Sequence, residues 1–317
     1  MLLLLMDNVG VNRKKLMITG ANGFTGRHAC TYFSAKGYNV IAVVRNELDT
    51  VSSDRIQIER CDVTDKTQVN VLIAKTRPDF LLHLAGQNHV QNSWEDPLSS
   101  YESNIMSTAY LLDAVRNEQN ACRIVVVGSA LQFNPNNLST LPHPYSFSKT
   151  LQMLMAQSYE ALFGMNVLIA KPTNLIGPGL STGVCTVFAN RVARMEIGDC
   201  EKILMTHNLN AQRDFLDVRD AVHAYEILLQ TGEKGHIYTV STGIPRYLKE
   251  ITRLYRSMTT VEFDIITETD NKEILEPVLP TPLVGLGWKP KIAFNQSLKD
   301  ILDDQRRRLA NRKDESS

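Results

Sequence analysis

Short apolar runs recur along the first half of the chain, each bounded by polar or turn-forming residues: "KLMIT", "NVIAVV", "RIQIE", "FLLHLA", "RIVVVGS" and "NVLIAKP". They are rich in Val, Ile and Leu and continuous rather than alternating, the pattern of strands buried on both faces of a parallel sheet. Between them lie amphipathic stretches of helical length, at residues 65–76, 101–117 and 145–163. Strand and helix in alternation predict an α/β fold with a doubly wound parallel sheet, because parallel neighbours need a crossover that carries the chain back to the same edge. After Pro178 the rhythm breaks, and prolines gather at positions 277, 280, 282 and 290. The expected division is a flexible extension at 1–14, a sheet domain at 15–178, and a smaller mixed α/β lobe at 179–317, some of whose segments return to the sheet.

Composition narrows the field. The 317 residues are 43% apolar, enough for a sizeable core. Lys and Arg together number 34, as do Asp and Glu, so no charge excess points to a nucleic-acid partner. Cys30, Cys61, Cys122, Cys185 and Cys200 are odd in number and lack paired metal-ligand spacing. Free thiols and no metal are the expectation. The opening "MLLLLMDNVG" is shorter than a signal-peptide core, and no segment approaches the roughly 18 to 20 apolar residues of a membrane span. A cytoplasmic protein without a membrane partner is expected.

The first strand runs into "TGANGFTGRH", with Gly20, Gly23 and Gly26 spaced three apart. Glycine suits a tight turn after a strand, a backbone that approaches a pyrophosphate, and a helix packed closely on a sheet. In that position the triplet predicts a Rossmann dinucleotide site, with the loop residues Gly20, Asn22, Gly23, Phe24 and Gly26 against the cofactor and the next helix pointing its amino terminus at the phosphates. The second strand ends in Arg45, which suits the 2′-phosphate of NADP, whereas an acid there would hold the ribose of NAD. Glu47 and Asp49 follow closely, so NADP(H) is favoured over NAD(H) without excluding it. Asp62, with Val63 after it, lies just past the third strand, where it would accept from the adenine amine or cap the next helix; Thr64 and Asp65 are alternative caps.

"PYSFSK" sets Tyr145 one helical turn before Lys149, but "YFSAK" repeats that spacing at Tyr32 and Lys36, so spacing alone does not choose between them. The order of "ITGANGFTG", "CDVTD", "HLAGQNHVQNSWEDP", "VVVGSALQF", "PYSFSK", "KPTNLIGPG", "RDFLDVRDAVHAY" and "GWKP" does. Together they resemble the extended short-chain dehydrogenase/reductases that act on nucleotide sugars, the NAD-dependent epimerase/dehydratase family. "GPGLSTG" and "NLNAQRDFLDVRDAVHAYEILL" look most like its GDP-6-deoxy-4-keto-mannose reductases.

The resemblance implies a catalytic Ser129, Tyr145 and Lys149, with Tyr32 and Lys36 left as a helix surface pair. An ammonium one turn away would pull a phenol's pKa down from near 10. Ser129 would hold the carbonyl oxygen while Tyr145 passes it a proton, and Lys149 would also hold the nicotinamide ribose. By the same resemblance Leu84, Ala85, Gly86 and Pro172 would lie along the cofactor, and Gln87, Ser93, Asn174 and Arg213 would contact the sugar nucleotide. Arg213's bland alternative is an ion pair with Asp214 or Asp217. Asn104 matches the family's helix asparagine, while His83, His89 and His143 are read as packing or capping residues. A second phosphate-binding arginine, usual ahead of "GW.P", is missing; Glu276 stands near its place, with Lys272, Arg246 and Arg253 as possible substitutes.

Dehydratases of the family carry an Asp-Glu pair after the catalytic hydroxyl residue, and this chain has Ala130, Leu131 and Gln132. The implied activity is NADPH-dependent reduction of the 4-keto group of a nucleotide-linked 4-keto-6-deoxyhexose. A 4-epimerase with tightly bound NAD and a catalytically silent dinucleotide-binding protein are the alternatives. A homodimer joined through the helices at 101–117 and 145–163 is also implied.

Overall fold

The computed structural model describes residues 14–46, 53–119 and 121–315. Of the extension expected at 1–14 only Lys14 falls among them, and Glu47 and Asp49 fall outside. The strands are β1 (Lys15–Thr19), β2 (Asn39–Val44), β3 (Ile56–Arg60), β4 (Phe80–His83), β5 (Arg123–Val127), β6 (Val167–Pro172), β7 (Asn174–Ile176), β8 (Ile203–Asn208), β9 (Gln212–Asp217), β10 (Ile237–Val240), β11 (Pro245–Tyr247) and β12 (Asp264–Thr269). The helices are α1 (Phe24–Ala35), α2 (Lys66–Thr76), α3 (Val90–Glu95), α4 (Pro97–Tyr101), α5 (Ser107–Asn117), α6 (Pro144–Phe163), α7 (Val184–Glu196), α8 (Val218–Thr231), α9 (Leu248–Ser257), α10 (Thr281–Gly285) and α11 (Phe294–Glu315).

Seven strands form one parallel sheet in the order β10-β6-β5-β4-β1-β2-β3. The chain builds outward from β1 to one side and then from β4 to the other, so the order reverses between them. That is the doubly wound topology, and the reversal opens a crevice at the strands' carboxyl ends. Side chains alternate to opposite faces: Leu16, Ile18, Val40 and Ala42 pack with Phe33, Tyr225 and Trp288, while Met17, Ile41 and Val43 pack with Ile73, Leu111 and Val115. Both faces are therefore covered, which is why these strands read as unbroken apolar runs.

The later segments make a third core, in which Phe188 and Val192 of α7 meet Tyr255 of α9 and Ile301 and Leu302 of α11. Two small sheets flank it, β11-β9-β7 and β12-β8. The chain does return to the large sheet: β10 pairs with β6, α8 packs on the same face as α1, and the Trp288 indole donates to the Asp220 carbonyl at 3.0 Å. Asp220 also accepts from the Lys291 and Ile292 amides, fastening "GWKP" to α8.

Two elements differ from the sequence expectation. The helix expected over 101–117 is α4, a widened turn at Glu102–Met106, and α5 in succession. In that turn the Ser107 N–H reaches the Glu102 carbonyl, and Asn104, fully buried, is turned toward the loop after β4. The apolar runs at the fourth and fifth strands also outlast β4 and β5, which end at His83 and Val127, and the residues that follow form the crevice wall. All five cysteines are free thiols; no cluster of metal-ligating side chains and no helix long and apolar enough to cross a membrane occur among the described residues.

Candidate active site

The crevice is a cleft of about 1230 Å³. Its floor begins at the glycine loop. Gly20 sits at φ 67°, and a Cβ there would come within 2.8 Å of the Ala85 nitrogen; a Cβ on Gly26 would lie 2.1 Å from the Gly20 carbonyl. No side chain caps α1 at Gly23, so the first amides of that helix face the cleft without an internal acceptor from a cap. Asn22, Gly23, Phe24, Arg45, Asp62, Val63, Leu84, Ala85, Gly86 and Pro172 line the same space. Asp62 accepts from the Thr64 amide and hydroxyl, whereas Asp65 caps α2, so the cap is Asp65 and not Asp62.

At the other end α6 begins with Pro144, capped by the His143 ring, which accepts from the Ser146 amide at 2.9 Å. This fixes Tyr145 and Lys149 on one face, both nearly buried and both lining the cleft. The amides of Gly128 and Ala130 prolong the ladder to β6, projecting Ser129 between them, where it hydrogen-bonds Tyr145. The phenol stands above its ordinary pKa: burial raises it, and the Ser129 bond opposes this. The depression expected from Lys149 is therefore corrected. The ammonium is turned to the Val127 carbonyl at 3.0 Å and to the Gln152 side chain, and burial lowers its own pKa to about 7.

Gln87, Asn174 and Arg213 also line the cleft, but Ser93 does not. Ser93 is fully buried; it donates to the Val90 carbonyl at 2.6 Å and accepts from the Tyr145 amide at 3.0 Å, anchoring the start of α6 instead of facing a ligand. Asn104 is set behind the wall, pinning Gln87 through both its amide and its carbonyl and donating to Ser148. Gly86 is required here, since its Cβ would lie 2.4 Å from Asn104 Oδ1. Arg213 pairs with Glu273 at 2.9 Å, not with Asp214 or Asp217. Asp214, one residue on and so facing the other way, binds Thr173, Thr242 and Gly243, while Asp217 is taken by Arg219. Arg246 pairs with Glu250, and Lys272 and Arg253 do not line the cleft; Glu276 does. Lys171, which the sequence motif contained without a role, lines it with its ammonium half-buried and unpaired among the described residues.

Tyr32, by contrast, is remote from the cleft. Its hydroxyl donates to Glu226 on α8, and Lys36 stands over its ring at 5.4 Å. The repeated Tyr-Lys spacing is thus a helix-packing pair.

The sequence pattern of the NAD dependent epimerase/dehydratase family matches residues 16–241, from β1 to the end of β10. The chain belongs to the NAD dependent epimerase/dehydratase family. Within it, the chain is 28% identical over 313 residues to GDP-6-deoxy-D-mannose reductase of Pseudomonas aeruginosa, covering 93% of this chain and 98% of that protein. The solved structure of RMD from Pseudomonas aeruginosa complexed with NADPH superposes with a TM-score of 0.80 over 93% of this chain and 99% of the other, at 28% identity. UDP-glucose 4-epimerase of Thermus thermophilus, complexed with NAD, superposes with a TM-score of 0.78 at 22% identity over 92% of this chain and 99% of that one, a likeness of fold.

Proposed function

We propose that this family member catalyses the NADPH-dependent reduction of the 4-keto group of a nucleotide-linked 4-keto-6-deoxyhexose. The observation that carries this reading is the bonded pair of Ser129 and Tyr145 on the cleft wall, one turn from Lys149, with Ala130, Leu131 and Gln132 following the serine and no acid among them. Elimination of water needs a positioned acid for the leaving hydroxyl, and that segment supplies none.

The cofactor's diphosphate fits the glycine cradle, where the close approach of Gly20 to Ala85 leaves no room for a side chain. Arg45 would hold the 2′-phosphate, and Asp62 and Val63 would border the adenine. NADPH supplies the hydride. Ser129 donates to the ketone oxygen, and Tyr145 passes its proton to that oxygen as negative charge develops there. A phenol held above its ordinary pKa is protonated at neutral pH, the form a reduction uses. Lys149 stabilises the phenolate left behind. Arg213 and Lys171 are the cations available to the sugar diphosphate, in place of the family's second arginine.

The homodimer remains part of the reading: Leu154 and Leu162 on α6 and Met106 before α5 are exposed large apolar side chains on the two helices concerned.

The test is single-turnover oxidation of NADPH with GDP-, UDP- and dTDP-linked 4-keto-6-deoxy sugars. Tyr145→Phe should slow the step by about 10²- to 10⁴-fold while NADPH affinity is retained. Near-normal turnover in that variant would overturn the mechanism, and NAD retained through purification with interconversion of 4-epimers would establish an epimerase instead.

A further inference from the structure

A buried chain of hydrogen bonds runs from Lys149 to the loop after β4. Lys149 Nζ donates to Gln152 Oε1, on the next turn of α6, and Gln152 Nε2 donates to Thr108 Oγ1 of α5 at 2.9 Å. Thr108 Oγ1 lies 2.9 Å from His83 Nε2 and donates to the Asn104 carbonyl at 2.7 Å. His83 Nδ1 lies 2.8 Å from Thr19 Oγ1, which accepts from the Leu84 and Ala85 amides at 3.2 and 3.1 Å. Thr19, His83, Thr108 and Gln152 are each at most 1% exposed.

The hydrogens can be assigned from these distances. Thr19 already accepts twice, so its own hydrogen goes to His83 Nδ1. The imidazole then carries its hydrogen on Nε2 and gives it to Thr108, and Gln152, with Nε2 on Thr108, must present Oε1 to the lysine. Donors from both ends converge on Thr108, which discharges onto a backbone carbonyl. No hydrogen can pass along such a chain from Lys149 to His83, so it orients groups and does not conduct protons.

We propose that Gln152 is a positioning residue for Lys149: a neutral acceptor, oriented by Thr108 and His83, that fixes the ammonium at the cleft wall and leaves its charge unpaired. The inference rests on the proposed function only in taking Lys149 as a working residue. Lys149 is bonded to Gln152 on its own helix and to the Val127 carbonyl of β5, and its charge is felt at His83 of β4; none of these is a carboxylate. An ammonium has three hydrogens, and two are engaged, leaving one for the cleft. A carboxylate at 152 would pair with the charge that a ribose hydroxyl and a phenolate need, and an apolar side chain would release the ammonium. Burial and the neighbouring lysine lower His83 to about 3, so the ring stays neutral while Lys149, lowered to about 7 by burial, titrates.

The test is an NMR titration of the full chain labelled with carbon-13 at lysine Cε, the Lys149 signal being identified by its loss in Lys149→Met. The wild-type midpoint should lie near 7; Gln152→Glu should raise it by about one unit or more, because an opposite charge favours the ammonium. Gln152→Met, which keeps the volume but removes the acceptor, should lower it. Should Gln152→Glu not fold, Gln152→Met carries the test alone. A Lys149 midpoint unchanged in folded Gln152 variants overturns the proposal. The titration needs no sugar substrate, so shifted midpoints without reduction of any 4-keto sugar would leave the positioning role standing and defeat the proposed activity.

Discussion

Replacing Lys149 by Met removes a charge from inside the protein while keeping most of the side chain, and the resulting change in stability should depend on pH. Burial lowers Lys149 from 10.5 to about 7, so the folded state holds this proton less well than the unfolded chain does. The penalty is complete below pH 7 and disappears as pH rises from 7 to 10.5, where the unfolded amine also loses its charge. At about 1.36 kcal/mol per pKa unit it amounts to about 5 kcal/mol at pH 6, of which about 2.7 kcal/mol is gone by pH 9. Met leaves the Val127 carbonyl and Gln152 without their donor, which offsets the gain by about 1–3 kcal/mol for each buried group at every pH. The absolute effect of the substitution is thus a small gain or near zero at pH 6, but the slope survives. Urea unfolding of wild type and Lys149→Met, followed by circular dichroism at pH 6, 7, 8 and 9, isolates it, since other titrations cancel in the difference. The wild type should gain on the variant by about 2–3 kcal/mol across that range. A difference that stays flat would mean that Lys149 is neither desolvated nor charged in the way described.

Arg45→Ala should weaken NADPH at least about tenfold more than NADH, because a charge-assisted contact is lost only for the phosphorylated cofactor; equal losses in a fluorescence titration would remove Arg45 from the ribose site. Tyr32→Phe should leave turnover unchanged and lower stability by about 1–3 kcal/mol, since Glu226 loses a buried donor, and a fall in the single-turnover rate would return Tyr32 to consideration. Light scattering at micromolar concentration should give twice the mass of the 35.6 kDa chain, and a monomer would count against the α5 and α6 interface.

The strands were legible where burial on both faces left a continuous apolar run: β1 and β2 begin and end as their patterns do. Ends that serve the site were not, because the residues after His83 and Val127 continue the apolar run while the regular strand has already stopped. The four residues of β10 lie far along the chain and, among the described residues, pair only with β6, so no local signal separates them from a loop. The widened turn at Glu102–Met106 is equally silent, for an inserted residue leaves the average helical period intact over a window of that length. In the site, Ser129, Tyr145 and Lys149 could be read because motif order carries their partnership. Gln152 was visible only as a residue one turn beyond Lys149; its meaning comes from Thr108, 44 positions away, just as that of Arg213 comes from Glu273, 60 positions away. Ser93 was misplaced for the same reason, since its motif says that it is near the site but not which side of the wall it faces.

The pairing of Arg213 with Glu273 has a consequence for how an anion would enter. A free arginine samples many rotamers, and ordering one sacrifices about 2 kcal/mol of side-chain entropy. Glu273 removes that freedom in advance: it is held by Asn208 at 3.1 Å, and it keeps one arm of the guanidinium fork in place while the Gln212 carbonyl holds another at 2.7 Å. The pair is itself half exposed, and such pairs contribute only about 0–1 kcal/mol, so a doubly charged visitor can displace the carboxylate without a large opposing term. On the proposed function Glu273 would therefore work as a placeholder, and arrival of the sugar diphosphate at Arg213 would be an exchange of one anion for another. The guanidinium faces a negative partner before and after the exchange, so affinity there should fall less steeply with added salt than a count of the cleft's cations suggests.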